Sequence, residues 1–144
     1  MSDFQIIFRL VLSCILSGLI GLERQLHRRA AGLRTHILVC VGSTLIMLTS
    51  IYIFDIYKDK VPSDPARLAA GIITGIGFLG AGTIIRYGEE VKGLTTAASL
   101  WVIAAIGMGI GCGFYTASIA TTIIVLSVLL LLRRIEGRIS DKSC

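Results

Sequence analysis

The side chains able to do chemistry are few, and the densest group is Glu23 with Arg24, Arg28, Arg29 and Arg34, four guanidiniums within eleven positions beside one carboxylate. An arginine forks onto a carboxylate through two parallel N–H···O bonds, so a fixed pair here would lock the loop or dock a partner. The same arginines serve equally as a topology signal against anionic lipid headgroups. A second charged group, Asp64-Pro65-Ala66-Arg67, opens a later apolar run. His36, Cys40 and Thr44 recur every four residues and share one helix face, but two ligand types without a third do not complete a zinc site. Gly75-Ile76-Gly77-Phe78-Leu79-Gly80 matches the dinucleotide-binding fingerprint letter for letter. That fingerprint works only between a strand and a helix start, and here apolar sequence surrounds it. Cys14, Cys40, Cys112 and Cys144 lack metal-ligand spacing and read as small hydrophobes rather than a disulfide framework. No nucleophile stands at a working distance from a base, so an enzyme is not expected.

The elements that must position these groups follow from composition. Of 144 residues 54% are apolar and 16% charged, with a mean hydropathy of +0.83. Soluble domains carry about 25% charged residues. Residues 35–54, 68–85 and 93–132 contain no Asp, Glu, Lys or Arg. This excludes a soluble enzyme, a disordered tail and, despite a net charge of +5, a nucleic-acid-binding domain. What remains is an all-α membrane protein, a compact bundle in the lipid bilayer. A hydrocarbon core of about 30 Å takes about 20 residues per helix. Five spans are predicted, at about 4–22, 35–54, 67–85, 94–111 and 114–132, forming a single membrane domain over 1–144 with a glycine-rich third helix at its centre. The Gly111-Cys112-Gly113 break divides the last two, because glycine tolerates the positive φ of a tight turn. The first span lacks a basic leader and a small-residue cleavage site, and reads as a retained helix.

Basic residues set the orientation. Arg24, Arg28, Arg29, Arg34, Arg86, Lys92, Arg133, Arg134, Arg138 and Lys142 fall on one side, against Lys58, Lys60 and Arg67 on the other, plus Arg9 just inside the first span. This predicts an outside N-terminus and a cytoplasmic C-terminus. Arg9 shares a stripe with Ser13, Ser17 and Gly21 that should face protein. Two readings fit Arg9: it snorkels to the interface, or it pairs with Asp55 or Asp64. Gly71, Gly75 and Gly82 lie within about 40° of one another on a helix, with Gly77 and Gly80 roughly opposite. Small residues let membrane helices approach closely, so glycine on two faces predicts a helix gripped from both sides. A broken helix lining a path is the alternative. The fifth span, rich in branched residues, should face lipid. No carboxylate lies near mid-span: Glu23, Glu89, Glu90 and Glu136 sit at the inner boundary and Asp3, Asp55, Asp59 and Asp64 at the outer one, which argues against an ion-coupled pump.

The segments Gly21–Arg24, Ala31–Thr35, Asp64–Ala70, Gly75–Gly82 and Gly93–Trp101, in this order, resemble the MgtC/SapB family of bacterial inner-membrane proteins. The resemblance covers about residues 15–132. It implies a role in adaptation to low magnesium, in pathogens survival within host phagocytes, and regulation of other membrane proteins, including ATP synthase or a magnesium transporter. Its motif residues are carried here by Glu23, Arg24, Arg34, Asp64, Arg67 and Thr95. Two departures weaken a cation site: many members have an acidic residue at the position of Gln25 and glutamine at that of Gly71. Longer members add a cytoplasmic domain after the last span, and this sequence resembles the short form.

Two functions therefore compete. The first is a non-enzymatic regulator acting through helix–helix contacts, without a cofactor. The second is an oligomeric channel or transporter for Mg²⁺ or another ion, with Asp64 at the outer mouth and Glu23, Glu89 and Glu90 at the inner one; Mg²⁺ is the one ligand left open. The excess of small residues also predicts a homodimer.

Overall fold

The computed structural model describes residues 1–60 and 64–140, with side chains as far as Arg133. The tail charges Arg134, Glu136, Arg138 and Lys142, and Cys144, lie outside the described side chains. Seven elements follow in order: α1 (Asp3–Leu26), α2 (Leu33–Tyr57), α3 (Ala66–Gly82), β1 (Ile85–Tyr87), β2 (Glu90–Lys92), α4 (Leu94–Cys112) and α5 (Tyr115–Ser140). By length and composition α1, α2, α4 and the Tyr115–Arg133 part of α5 can each cross a membrane. With 17 residues, α3 spans about 25 Å and stands at the lower limit.

The helix ends obey local chemistry. Ser2 opens α1 with a capping box, its hydroxyl accepting from the Gln5 N–H while the Gln5 side chain returns to the Ser2 N–H. At the far end of α4, Gly113 adopts φ +84°, its N–H donates to the Ile110 carbonyl at 2.9 Å, and the Phe114 N–H reaches Gly109 at 2.8 Å. This pair of bonds is a Schellman stop, so the apolar run does divide at the glycine break. Gly113 alone takes the left-handed conformation, while Gly111 stays helical and is buried.

The third helix ends sooner than expected. The Thr83 hydroxyl donates to the Gly80 carbonyl at 2.8 Å, and the chain leaves the helix for an exposed antiparallel hairpin that pairs Ile85 with Lys92 and Tyr87 with Glu90. Gly93 then turns the chain into α4 at φ +92°, and a Cβ added there would run into the Thr83 carbonyl. Gly93→Ala should combine a left-handed penalty of about 1–2 kcal/mol with that steric conflict. Gly88→Ala, at φ +60° in open space, should show the penalty alone. Thermal unfolding in detergent should rank the two variants in this order.

The core sits where α4 packs on α2, with α1 closing one side: Leu16, Ile20, Cys40, Ile103, Ile106 and Ile110 form one cluster. Two glycines bring α4 onto α2. A Cβ at Gly111 would lie 2.7 Å from Met47 Cβ, and one at Gly107 would lie 2.9 Å from Ser43 Cβ. The buried stripe on α1 is Ser13, Ser17 and Gly21 as expected, and α5 is mostly exposed apart from Ser118 and Thr122.

Two expectations are corrected. The third helix is not central and is not gripped on both sides within one chain. A Cβ added at Gly71, Gly75, Gly77 or Gly82 meets nothing within 4 Å, and only Gly80 touches a neighbour, Ala97, at 3.6 Å. The cause is position: α3 stands at the edge of the bundle, packing through Ile72 and Ile76 toward Leu100 and Ala104. Arg9, in turn, pairs with neither aspartate. Its Nε donates to the Tyr115 hydroxyl at 2.9 Å and its Nη1 to the Gly111 carbonyl at 2.7 Å, with the guanidinium 5.8 Å from the Tyr115 ring centroid. It binds the carbonyl end of α4, where cations are favoured, and ties α1 to the α4–α5 turn.

Candidate functional site

Polar side chains gather at the two ends of the bundle. The better built group lies where α1 ends and α4 begins. Along α1 the buried positions Ser13, Ser17 and Gly21 lead to Arg24, and Leu16 and Ile20 lead to Glu23, so both charges are carried inward by helical spacing. Gly21 permits this, since a Cβ there would lie 2.9 Å from Leu33 Cα at the start of α2. Glu23 is 7% exposed and Arg24 4%, values that place the pair in the protein rather than on its surface.

The Arg24 Nη2 donates to the Thr96 hydroxyl at 3.3 Å, and Nη1 stands 3.9 Å from Glu23 Oε2. The other carboxylate oxygen, Oε1, lies 2.8 Å from His27 Nδ1. Among the described residues two buried side-chain atoms, Glu23 Oε2 and Arg24 Nε, have no hydrogen-bond partner. One turn deeper, His36 donates from Nδ1 to the Gly32 carbonyl at 2.8 Å, and its Nε2 lies 3.1 Å from the Ser99 hydroxyl, which itself donates to the Thr96 carbonyl at 2.8 Å. This cluster can hold an anion or a hydroxyl and can fix α1 against α4. Beside it opens a cavity of about 230 Å³ lined by Arg24, Arg29, Thr95, Leu129 and Arg133.

At the opposite end, Asp64 Oδ1 accepts the Ala66 N–H at 2.8 Å and the Ser50 hydroxyl donates to the Pro65 carbonyl at 2.6 Å, fixing the entry to α3. Asp64 and Arg67 are exposed and line a cavity of about 440 Å³ with Ser50, Phe54 and Leu68.

The sequence-predicted residues thus divide. Glu23 and Arg24 meet in one site, with Thr95 at its rim, and Asp64 and Arg67 meet in the other. Arg34 is exposed in the first turn of α2 and lines neither cavity. The contact to Arg24 comes from Thr96, which is buried while Thr95 is exposed. Thr96 and Ser99 are not among the sequence-predicted site residues, where they read only as small residues of the fourth span, although their spacing to Ile103 and Gly107 repeats one helix face. It also left His36 without its partner. Among the described residues no three His, Cys, Asp or Glu side chains come together as a metal site.

An all-α bundle with four membrane-length apolar helices, carrying a buried glutamate–arginine pair at one helix end, is an integral membrane protein. Comparison makes the class specific: residues 10–138 match the MgtC family model, and the chain belongs to that family. It is 45% identical over 141 residues to "Putative magnesium transporter YhiD" of Escherichia coli (strain K12), covering 96% of this chain and 66% of that protein. It is 44% identical over 138 residues to Protein MgtC of Salmonella typhimurium (strain LT2), covering 96% and 57%. Against Protein MgtC of Brucella abortus (strain 2308) identity is 46% over 120 residues, covering 83% and 48%. The chain therefore spans between about half and just under two thirds of the length of these relatives. No solved structure matches it. It is a membrane protein of the MgtC family.

Proposed function

We propose that this protein acts in magnesium homeostasis as a regulator of other proteins in the bacterial inner membrane, with its arginine-rich loop on the cytoplasmic side and its N-terminus outside. The observation that carries the reading is an open groove between α2 and α3. It has a volume of about 320 Å³ and is lined by Gly42, Gly71 and Gly75 with Leu38, Ile46 and Leu79 around them. Lipid gives apolar helices no hydrophobic reason to associate, and close backbone approach over small residues supplies the attraction instead. The groove suits a transmembrane helix of a partner, with ATP synthase or a magnesium transporter the partner classes the family resemblance suggests. The close α2–α4 contact at Gly107 and Gly111 favours a rigid scaffold over a conduit through a single chain.

The experiment combines transport with crosslinking. Purified protein in proteoliposomes should pass no Mg²⁺. A cysteine at Gly42 should crosslink in native membranes to a membrane subunit of ATP synthase or to a magnesium-transporting ATPase. Gly75→Leu should abolish the crosslink while leaving the melting temperature unchanged, since its side chain enters open space rather than disrupting the fold. A crosslink at the mass of two copies of this chain would assign the groove to a homodimer instead. Selective Mg²⁺ flux lost in Asp64→Ala would overturn regulation in favour of transport, the reading supported by the YhiD name and by the cavity beside Asp64.

A further inference from the structure

We infer that the cavity between α1, α4 and α5 is a binding site for an anionic glycerophospholipid, its phosphodiester held by Arg24, Arg29 and Arg133 and a headgroup hydroxyl held by Glu23. The inference stands apart from the regulatory reading and rests on four features of the cavity. Three guanidiniums from different segments, α1, the following loop and α5, converge on it against one carboxylate, a net charge of +2 among its lining residues. The first turn of α4 enters its wall at Thr95, and this helix start is capped by Gly93 without a side-chain acceptor. Helix N-termini left this way offer N–H groups and a positive dipole end to phosphate.

The third feature is the unfilled bonding at the buried pair. Arg24 Nε is a donor and Glu23 Oε2 an acceptor, both without a hydrogen bond among the described residues although Oε2 stands 3.9 Å from Arg24 Nη1, on side chains 4% and 7% exposed. A bare phosphate satisfies only the donor, because its oxygens repel the carboxylate. A phosphodiester carrying hydroxyls beyond the phosphorus satisfies both. Phosphatidylglycerol has this chemistry, and its net negative charge matches the cavity, whereas phosphatidylethanolamine is neutral overall.

The fourth feature is the apolar wall. Val128, Leu129 and Leu132 on α5 continue from the charged end along the lipid-facing helix, where an acyl chain would lie. A basic recess between membrane helices at the headgroup level is the usual setting for specific lipid retention.

Native mass spectrometry of the full chain in neutral detergent tests this, with phosphatidylglycerol, phosphatidylethanolamine and phosphatidylcholine of matched acyl chains added in turn. Phosphatidylglycerol should be retained about tenfold more strongly than the other two. Arg29→Gln and Arg133→Gln should each weaken retention about fivefold, while Arg34→Gln on the same membrane side should not. Arg29 and Arg133 are exposed, so both variants should melt with the wild type. Equal retention of the three lipids, or an Arg34→Gln effect as large as the others, would remove the site. Displacement of phosphatidylglycerol by millimolar inorganic phosphate would reassign it to a free anion.

Discussion

Gly107→Ala is expected to lower the stability of the detergent-solubilised protein by about 1–3 kcal/mol, and larger residues should abolish the folded species. The side chain of α4 at this point would enter the Cys40 carbonyl and stand 2.9 Å from Ser43 Cβ. A backbone carbonyl in mid-helix cannot rotate away without losing its own helical bond, so the two helices must separate. Separation strains the Thr44 hydroxyl, which donates to the Gly107 carbonyl at 3.0 Å, and loosens the Cys40, Ile103 and Ile110 cluster behind it. Interiors at this density have no slack to absorb an added methyl. Gly75→Ala is the matched control: same helix type, same substitution, open space, with an effect within about 0.5 kcal/mol. Fluorescence-detected size exclusion after heating measures both. Indistinguishable melting of the two variants would mean that α2 and α4 do not meet backbone to backbone.

That contrast marks the limit of what the sequence discloses. The membrane class, the five helices and their ends to within about four residues, except that α5 continues to Ser140 past the predicted 132, follow from uncharged runs and glycine breaks, because burial in hydrocarbon is a property of the segment itself. Which glycines are pressed depends on which helix lies beside which, and periodicity cannot say. Five glycines stand in α3, while the closest approaches between helices fall on Gly107, Gly109 and Gly111 of α4 and on Gly21 of α1. The hairpin between α3 and α4 was also hidden, since two strands of three exposed residues carry no alternation to read. Arg9 illustrates a third kind of gap. Its partners, Tyr115 and the Gly111 carbonyl, lie more than a hundred residues away, and one of them is backbone. Glu23 and Arg24 were legible as candidates by type, but their burial beside Thr96 required knowing that α1 and α4 end against each other.

The second large effect concerns that pair. Arg24→Met should destabilise the protein by about 3 kcal/mol, the low end for a broken buried ion pair because a cavity adjoins it. It removes the bond to Thr96 and leaves the Glu23 carboxylate, 7% exposed, with His27 at 2.8 Å as its remaining close partner. Glu23→Gln should cost less, since the amide keeps an acceptor for Arg24 and the Arg24 guanidinium, now without a counter-charge, still bonds Thr96. The double variant discriminates between a coupled pair and two independent residues. With both charges gone, no ion is left uncompensated, so Glu23→Gln with Arg24→Met should be more stable than Arg24→Met alone. Melting temperatures of the three variants in one detergent provide the cycle, with Arg34→Gln expected within about 0.5 kcal/mol of wild type as the exposed reference. Strict additivity would show that Glu23 and Arg24 do not act on each other, and the end of α1 would then be held to α4 by the Thr96 hydroxyl alone.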